Sequence, residues 1–137
     1  MDELRITKVE REDMPVLEVT RDGNPGEVAG AAMSDLEQAL PSLRGRHFYG
    51  YYDPPANRYV ACVEAQAGDP PAITRGAIPG GTYARARIFG DAPELYTRIG
   101  PTFDLIAGQV SVDRSRPWLE FYRSEHQVDL LVPVTTP

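Results

Sequence analysis

Two large aromatic residues and a carboxylate occupy alternate positions near the end of the chain, in the order Trp118, Glu120 and Tyr122. Alternate side chains of a β-strand point to the same face, so this spacing predicts that the three lie together. Leu119 and Phe121 share the other face, which is apolar and is expected to lie on the core. Glu120 then lies either in solvent or in the wall of a pocket. A carboxylate between aromatic rings suits planar and cationic ligands.

The region around this strand is typical of a β-hairpin. Residues 118–122 and 128–134 are rich in aromatic, β-branched and aliphatic side chains, whereas residues 123–127 are polar. We therefore predict two strands joined by a polar turn, which would hold the Glu120 side chain on a fixed face.

The first half of the chain contains strand and helix patterns that precede this hairpin. A Gly- and Pro-containing loop leads into apolar positions at helical spacing, which end before Pro41. Pro54 and Pro55 indicate a turn between two further strands. The predicted elements are strands at 4–12 and 16–20, paired or forming one bent strand, a helix at about 28–40, and strands at 47–52 and 58–65.

The second half repeats this order. Strands are predicted at 73–78 and 82–89, separated by a tight Pro-Gly-Gly turn, and apolar residues follow at helical spacing between 95 and 107. Pro101 falls inside this helical pattern, so we expect a kink or a break between a short helical turn and its continuation. The hairpin at 118–134 completes the set.

Laying residues 46–52 on residues 116–122 gives a shift of about 70 that also aligns the two helical patterns. Phe48, Gly50 and Tyr52 then correspond to Trp118, Glu120 and Tyr122. We predict an α+β fold, a single domain over residues 1–137, built from two strand-helix-strand-strand halves at about 1–66 and 73–134. The sheets would be antiparallel with two helices on one side, and a central ligand cleft would hold four aromatic residues and one acid.

Composition excludes several classes of function. The 14 Lys and Arg against 20 Asp and Glu give a formal charge of -6, which disfavours direct nucleic-acid binding. A single cysteine, Cys62, excludes an intrachain disulfide and is expected to be a buried thiol. His47 and His126 have no further ligands at metal-binding spacing, so no metal and no cofactor is predicted. Without a membrane-length apolar run or a signal peptide, the prediction is a cytoplasmic protein that does not bind membranes.

Four stretches of the sequence resemble a known family. They are I-P-G-G-T-Y-A at 78–84, F-G-D-A-P-E-L-Y at 89–96, W-L-E-F-Y at 118–122 and V-D-L-L-V-P-V at 128–134. The chain resembles the GyrI-like small-molecule-binding domain, which is also the effector-binding domain of AraC- and MerR-type multidrug-responsive regulators. The resemblance implies a duplicated fold with a hydrophobic cleft, in which Glu120 faces bound aromatic or cationic amphiphiles. Phe103 stands where the family often has a Trp, and no helix-turn-helix precedes the domain, so a stand-alone binding domain is expected.

The predicted ligand-binding residues come from both halves. Arg85 and the nearby Arg87 introduce an alternative, because either could hold Glu120 in an internal ion pair and shift the preference towards neutral or polar ligands. The predicted set is Phe48, Gly50, Tyr52, Tyr83, Arg85, Trp118, Glu120 and Tyr122.

Three functions follow from this set, and the first is favoured. It is a binding module for an amphipathic or aromatic small molecule, including cationic drug-like ones, without turnover and without catalytic residues. The second is a hydrolase of reactive small molecules with Glu120 as general base, although the nearby phenols are poor acids at neutral pH. The third is an interaction protein of the gyrase-inhibitor type, with its negative charge in the contact surface. A protein partner or a homodimer stays open.

Overall fold

The computed structural model describes residues 4–53 and 56–135. Pro54 and Pro55, at the predicted turn between the third and fourth strands, lie outside the described residues. The elements are β1 (Ile6–Arg11), β2 (Met14–Asp22), α1 (Pro25–Ala39), β3 (Phe48–Asp53), β4 (Arg58–Glu64), β5 (Thr74–Ile78), β6 (Gly81–Phe89), α2 (Glu94–Thr97), α3 (Ile99–Ala107), β7 (Leu119–Ser124) and β8 (Gln127–Pro133).

The chain forms two compact units, each with its own strands and helical layer. Unit 1 comprises Met1–Glu12 and Gly80–Pro137, and unit 2 comprises Asp13–Pro79. The strand order is β1-β6-β8-β7 in unit 1 and β3-β4-β2-β5 in unit 2, with antiparallel neighbours in both. Each unit therefore contains one strand-helix-strand-strand repeat and one added edge strand. This confirms the predicted α+β class and the antiparallel duplication.

The edge strands are exchanged relative to their order in the sequence. β1 precedes β2, yet it pairs with β6 from Ile6 opposite Ala86 to Arg11 opposite Gly81. β2 pairs with β4 on one side and with β5 on the other, so both of its edges are occupied. The expectation that the first two strands pair or form one bent strand is wrong for this reason. Residues 4–12 lie in unit 1 with the second repeat.

In unit 1 the helical segments pack on one face of the sheet. Leu95 of α2 and Ile106 of α3 lie in a buried cluster with side chains of β6 and β8. The helical pattern is interrupted at Arg98, between α2 and α3. Pro101 lies in the first turn of α3, where the missing N–H breaks no helical hydrogen bond. The predicted break between a helical turn and its continuation is confirmed.

In unit 2 helix α1 covers the sheet in the same way. The Asn24 side chain accepts a hydrogen bond from the Glu27 backbone N–H at 3.1 Å and caps the helix, and Pro25 follows at its first turn. Leu36 is fully buried against strand residues of β2 and β4. Cys62 is also fully buried, as predicted, and desolvation raises the pKa of its thiol. In the described part of the chain, no helix is long and apolar enough to cross a membrane.

A largely buried arginine side chain precedes the first hairpin strand of each repeat. Arg46 in unit 2 pairs with Asp69 and donates to the Glu64 carbonyl at 3.0 Å. Arg116 in unit 1 pairs with Asp113 at 2.9 Å and donates to three backbone carbonyls. The shift of about 70 residues aligns these two arginines. Both link the loop before a strand to neighbouring backbone, so the repeat extends to the polar contacts of each unit.

Acid is expected to destabilise the protein through these ion pairs. Hydrogen bonds from Arg46 lower the pKa of Asp69 below its ordinary 3.8, and bonds from Ser115 and Arg116 lower the pKa of Asp113 to about 2. A carboxyl group whose pKa is lowered in the folded state stabilises the protein at pH values above its ordinary pKa. This stabilisation is lost as the pH falls through the folded-state pKa. Urea unfolding between pH 5 and pH 2 should show this loss, and Asp69→Asn should flatten the curve while lowering stability at pH 7. An unchanged slope in that variant would contradict the assignment.

Candidate ligand-binding site

Glu120 lies on the helix-covered face of unit 1. It is opposite Leu130 of β8, which is itself opposite Ala86 of β6, and both of these residues belong to the core beneath α2 and α3. The Glu120 residue is 6% exposed. Its Oε1 accepts a hydrogen bond of 2.5 Å from the Tyr122 hydroxyl. The alternative that places this carboxylate in solvent is therefore wrong.

Four aromatic rings, here called the aromatic cluster, lie on the same face: Tyr96, Phe103, Trp118 and Tyr122. Trp118 and Phe103 have ring centroids 5.5 Å apart, and Tyr122 meets Tyr96 edge-on at 6.4 Å. Phe103 is buried, Trp118 and Tyr122 are half-buried, and Tyr96 is 48% exposed. Contacts between aromatic rings thus extend from the solvent-exposed Tyr96 to Tyr122, the residue that is hydrogen-bonded to Glu120.

This arrangement is suited to binding a cation. An ionised carboxylate loses hydration when it is buried, and the loss must be offset by hydrogen bonds or by an opposite charge. Aromatic faces attract cations and stack against planar ligands. Among the residues that the structure describes, no group of three or more His, Cys, Asp or Glu side chains is placed to hold a metal ion. Glu120 with the aromatic cluster is therefore the candidate site in unit 1.

The arginines of β6 lie on the opposite face of the sheet. Ala84, Ala86 and Ile88 point into the core beneath the helices, so Arg85 and Arg87 alternate away from it. The Nε and Nη2 of Arg87 donate to the buried carboxylate of Asp129 at 2.7 and 3.1 Å.

Arg85 donates through Nη2 to the Thr7 hydroxyl at 3.4 Å. The suggestion that Arg85 or Arg87 pairs with Glu120 is wrong, because the sheet lies between the two faces. Arg85 is therefore not brought together with Glu120.

Tyr83, another predicted ligand residue, also lies on that opposite face. It is fully buried, and the Arg116 guanidinium lies 4.8 Å from the centre of its ring. Burial raises the pKa of Tyr83, and Arg116 opposes the rise. The ring of Tyr83 thus contacts Arg116, the arginine that donates to backbone carbonyls of unit 1. Of the predicted residues in unit 1, Trp118, Glu120 and Tyr122 lie on the helix-covered face, whereas Tyr83 and Arg85 lie on the other face.

The predicted counterparts in unit 2 occupy the corresponding face of their own sheet. Phe48 and Tyr52 pack against the core beneath α1, with Gly50 between them and opposite Ala61. The Tyr52 hydroxyl donates to the Asn57 side chain at 2.7 Å. The correspondence of Phe48, Gly50 and Tyr52 with the Glu120 strand therefore holds for strand face and helical cover.

Two residues of the aromatic cluster, Phe103 and Tyr96, were absent from the predicted set, and Tyr96 is the exposed one of the two. It lies within the F-G-D-A-P-E-L-Y stretch, but helical spacing alone places Leu95 inward and its neighbour outward. The structure shows Leu95 buried and Tyr96 exposed, with the outward ring in contact with Tyr122. The sequence signal was an aromatic residue on the outward side of a short helical pattern. Helical spacing does not specify which residue of another element such a side chain contacts.

No family model matches the sequence, and no curated protein matches it either. Several solved structures are similar in fold at 12% identity. The EcmrR C-terminal domain has a TM-score of 0.66 and the alignment covers 98% of this chain and 99% of that one. SAV2435 bound to tetraphenylphosphonium has a TM-score of 0.64 with 98% and 94% covered. A hydrolase from Listeria innocua has a TM-score of 0.60 with 96% and 92% covered. At this identity the likeness establishes a shared fold.

Proposed function

We propose that the chain is a small-molecule-binding domain of the GyrI-like type, related to the effector-binding domains of AraC- and MerR-type regulators, and that its ligands are aromatic cations. The observation that carries this proposal is the 6% exposed Glu120 carboxylate on one sheet face with Trp118 and Tyr122. The ligand would reach Glu120 through the aromatic cluster. The fold shared with SAV2435, whose structure holds tetraphenylphosphonium, supports the same ligand class.

The energetic reason is the cost of burying the carboxylate. The Glu120 carboxylate lies in a largely apolar region, where it accepts a hydrogen bond from the Tyr122 hydroxyl. A cationic ligand adds an attraction to this carboxylate, and its aromatic groups replace water on the exposed edge of Tyr96 and Tyr122. A neutral aromatic ligand gains the second contribution only. Charge selectivity is therefore the property that tests the site.

Glu120→Gln is expected to weaken binding of tetraphenylphosphonium by roughly 1 to 3 kcal/mol, the range for a contact to a charged group. The substitution keeps the shape of the side chain and removes its charge. Binding of neutral triphenylphosphine oxide should change little. Isothermal titration calorimetry of both compounds against both proteins measures the difference.

Glu94→Gln provides the matched control. Glu94 is exposed at the start of α2, two residues before Tyr96. This variant therefore removes one negative charge from unit 1 without altering the buried acid. It should leave both affinities within a factor of about two, as expected for a screened surface charge. If Glu120→Gln weakens both ligands equally, or neither, Glu120 does not select for charge and the proposed function is wrong.

A further inference from the structure

The sheet of unit 1 carries positive charge on the face opposite its helices. On strands β6, β7 and β8 this face has three arginines, Arg85, Arg87 and Arg123, against one acid, Asp129. The Asp129 side chain is 1% exposed, whereas those of Arg87 and Arg123 are 36% and 44% exposed. These strands thus present two positive charges in excess, on a protein whose formal charge is -6.

Two of these arginines, Arg87 and Arg123, are held next to each other by Asp129 and Gln127. Arg87 donates to both oxygens of the Asp129 carboxylate, from Nε at 2.7 Å and from Nη2 at 3.1 Å. Arg123 Nη1 lies 3.6 Å from Oδ2 of the same carboxylate. With the Gln127 amide oriented so that both of its polar atoms are satisfied, its oxygen accepts from Nε of Arg87 at 3.0 Å and from Nε of Arg123 at 3.1 Å. Groups of the sheet itself therefore fix both guanidinium groups.

Each of the two guanidinium groups keeps a nitrogen for a further acceptor. Within the described part of the chain, Nη1 of Arg87 and Nη2 of Arg123 have no hydrogen-bond acceptor. One carboxylate neutralises only one of the two guanidinium charges, so the pair retains a positive charge and a mutual repulsion. An oxyanion that accepts from both groups would offset that repulsion, and arginine is well suited to such bonds.

An exposed aromatic ring lies beside these arginines. Phe89 is 59% exposed and is opposite Gln127 in the pairing of β6 with β8, on the same face as Arg87. A flat apolar group attached to the oxyanion would cover this ring and replace the water on it. The surface thus combines an anion-binding part with an apolar part.

We propose that Arg87 and Arg123, with Phe89 beside them, form a further binding site, for small aromatic phosphate monoesters. The site lies on the face of the sheet opposite Glu120, and the inference does not depend on the proposed function. A phosphate monoester carries about -1.5 to -2 charges at pH 7 and three acceptor oxygens, which matches the charge of this face and its two separate donors. A carboxylate offers one charge and two oxygens, so it matches the site less well.

The experiment compares phenyl phosphate, benzoate and inorganic phosphate by isothermal titration calorimetry near neutral pH and at low ionic strength. The unmodified protein should bind phenyl phosphate more tightly than the other two. In Arg123→Gln the affinity for phenyl phosphate should fall about tenfold or more, as expected for a hydrogen bond between charged groups. The variant retains the pairing of Asp129 with Arg87, so no buried charge is left without a partner.

Arg114→Gln is the matched control. Arg114 is exposed in the loop before β7, at the other end of that strand from Arg123, so the variant removes the same charge elsewhere in unit 1. It should leave the affinity for phenyl phosphate within a factor of about two. Phe89→Ala tests the apolar part separately. It should weaken binding of phenyl phosphate and leave that of inorganic phosphate unchanged, because inorganic phosphate has no ring to place on Phe89.

A second measurement needs no substitution. Addition of phenyl phosphate to the unmodified protein should shift the Nε–H signals of Arg87 and Arg123 in its nuclear magnetic resonance spectrum, and unshifted signals would overturn the inference. So would equal losses of affinity in Arg123→Gln and Arg114→Gln, since they would indicate an effect of net charge alone. Benzoate bound as tightly as phenyl phosphate would contradict the ligand class, and an unchanged preference for phenyl phosphate in Phe89→Ala would contradict the aromatic contact. Glu120→Gln should bind phenyl phosphate as the unmodified protein does, so the two sites are tested independently.

Discussion

Replacement of Arg46 by alanine is expected to lower the free energy of unfolding by about 3 to 5 kcal/mol, as is usual when one partner of a buried ion pair is removed. The Arg46 and Asp69 side chains are 6% and 3% exposed. The guanidinium also donates to the Glu64 carbonyl at 3.0 Å, so its loss deprives both a buried carboxylate and a backbone acceptor of a donor. Urea denaturation followed by circular dichroism measures the change.

Arg58→Ala is the matched control in the same unit. Arg58 pairs with Asp22 at 3.5 Å, but the two side chains are 50% and 84% exposed. An exposed pair of this kind contributes about 0 to 1 kcal/mol. A loss of similar size in both variants would show that burial of the Arg46 pair does not determine its contribution.

Arg116→Lys is expected to destabilise the protein by about 2 to 4 kcal/mol, although it preserves the charge. The Arg116 guanidinium bonds the carbonyls of Gly80, Thr82 and Val134 at 3.2, 3.1 and 2.9 Å, and its Nε bonds Asp113. A lysine side chain carries its donors on one nitrogen. It therefore does not reach all of the acceptors that surround the planar guanidinium of Arg116. Unfolding in urea at pH 7 again gives the difference.

The control for this substitution is Arg98→Lys. Arg98 is exposed and donates one hydrogen bond of 2.6 Å, to the Phe89 carbonyl, and a lysine ammonium is also able to donate to a single carbonyl. Its effect should remain below about 1 kcal/mol. Equal stability of Arg116→Lys and the unmodified protein would mean that charge alone, and not the fork of donors, holds the strand ends together.

Local patterns in the sequence were sufficient for most elements. The alternation at 118–122 and the polar residues at 123–127 correspond to the hairpin of β7 and β8. Apolar residues at helical spacing correspond to α1, and the helical pattern that contains Pro101 is divided into α2 and α3, as the proline indicated. These predictions succeeded because side-chain period and proline geometry act within a few residues of the chain.

Predictions that depended on strand partners were less successful. β1 was expected beside β2, but it pairs with β6, because β2 already has neighbours on both edges. Arg85 and Arg87 were considered partners of Glu120, and the pairing register shows them on the other face. A shift of one residue in register exchanges the two faces of a strand. No local pattern in β6 specifies its register with β8, the strand that lies between β6 and β7.

For the candidate site, the sequence alone determined that Trp118, Glu120 and Tyr122 share a face, because the two-residue period of a strand leaves no alternative. It also determined the correspondence of this strand with Phe48, Gly50 and Tyr52, through the repeat. Only the tertiary structure decided that the Glu120 face is the one beneath the helices and that Tyr96 joins the aromatic cluster. Those features depend on which elements pack together, and packing is set by apolar surface gathered from distant parts of the chain.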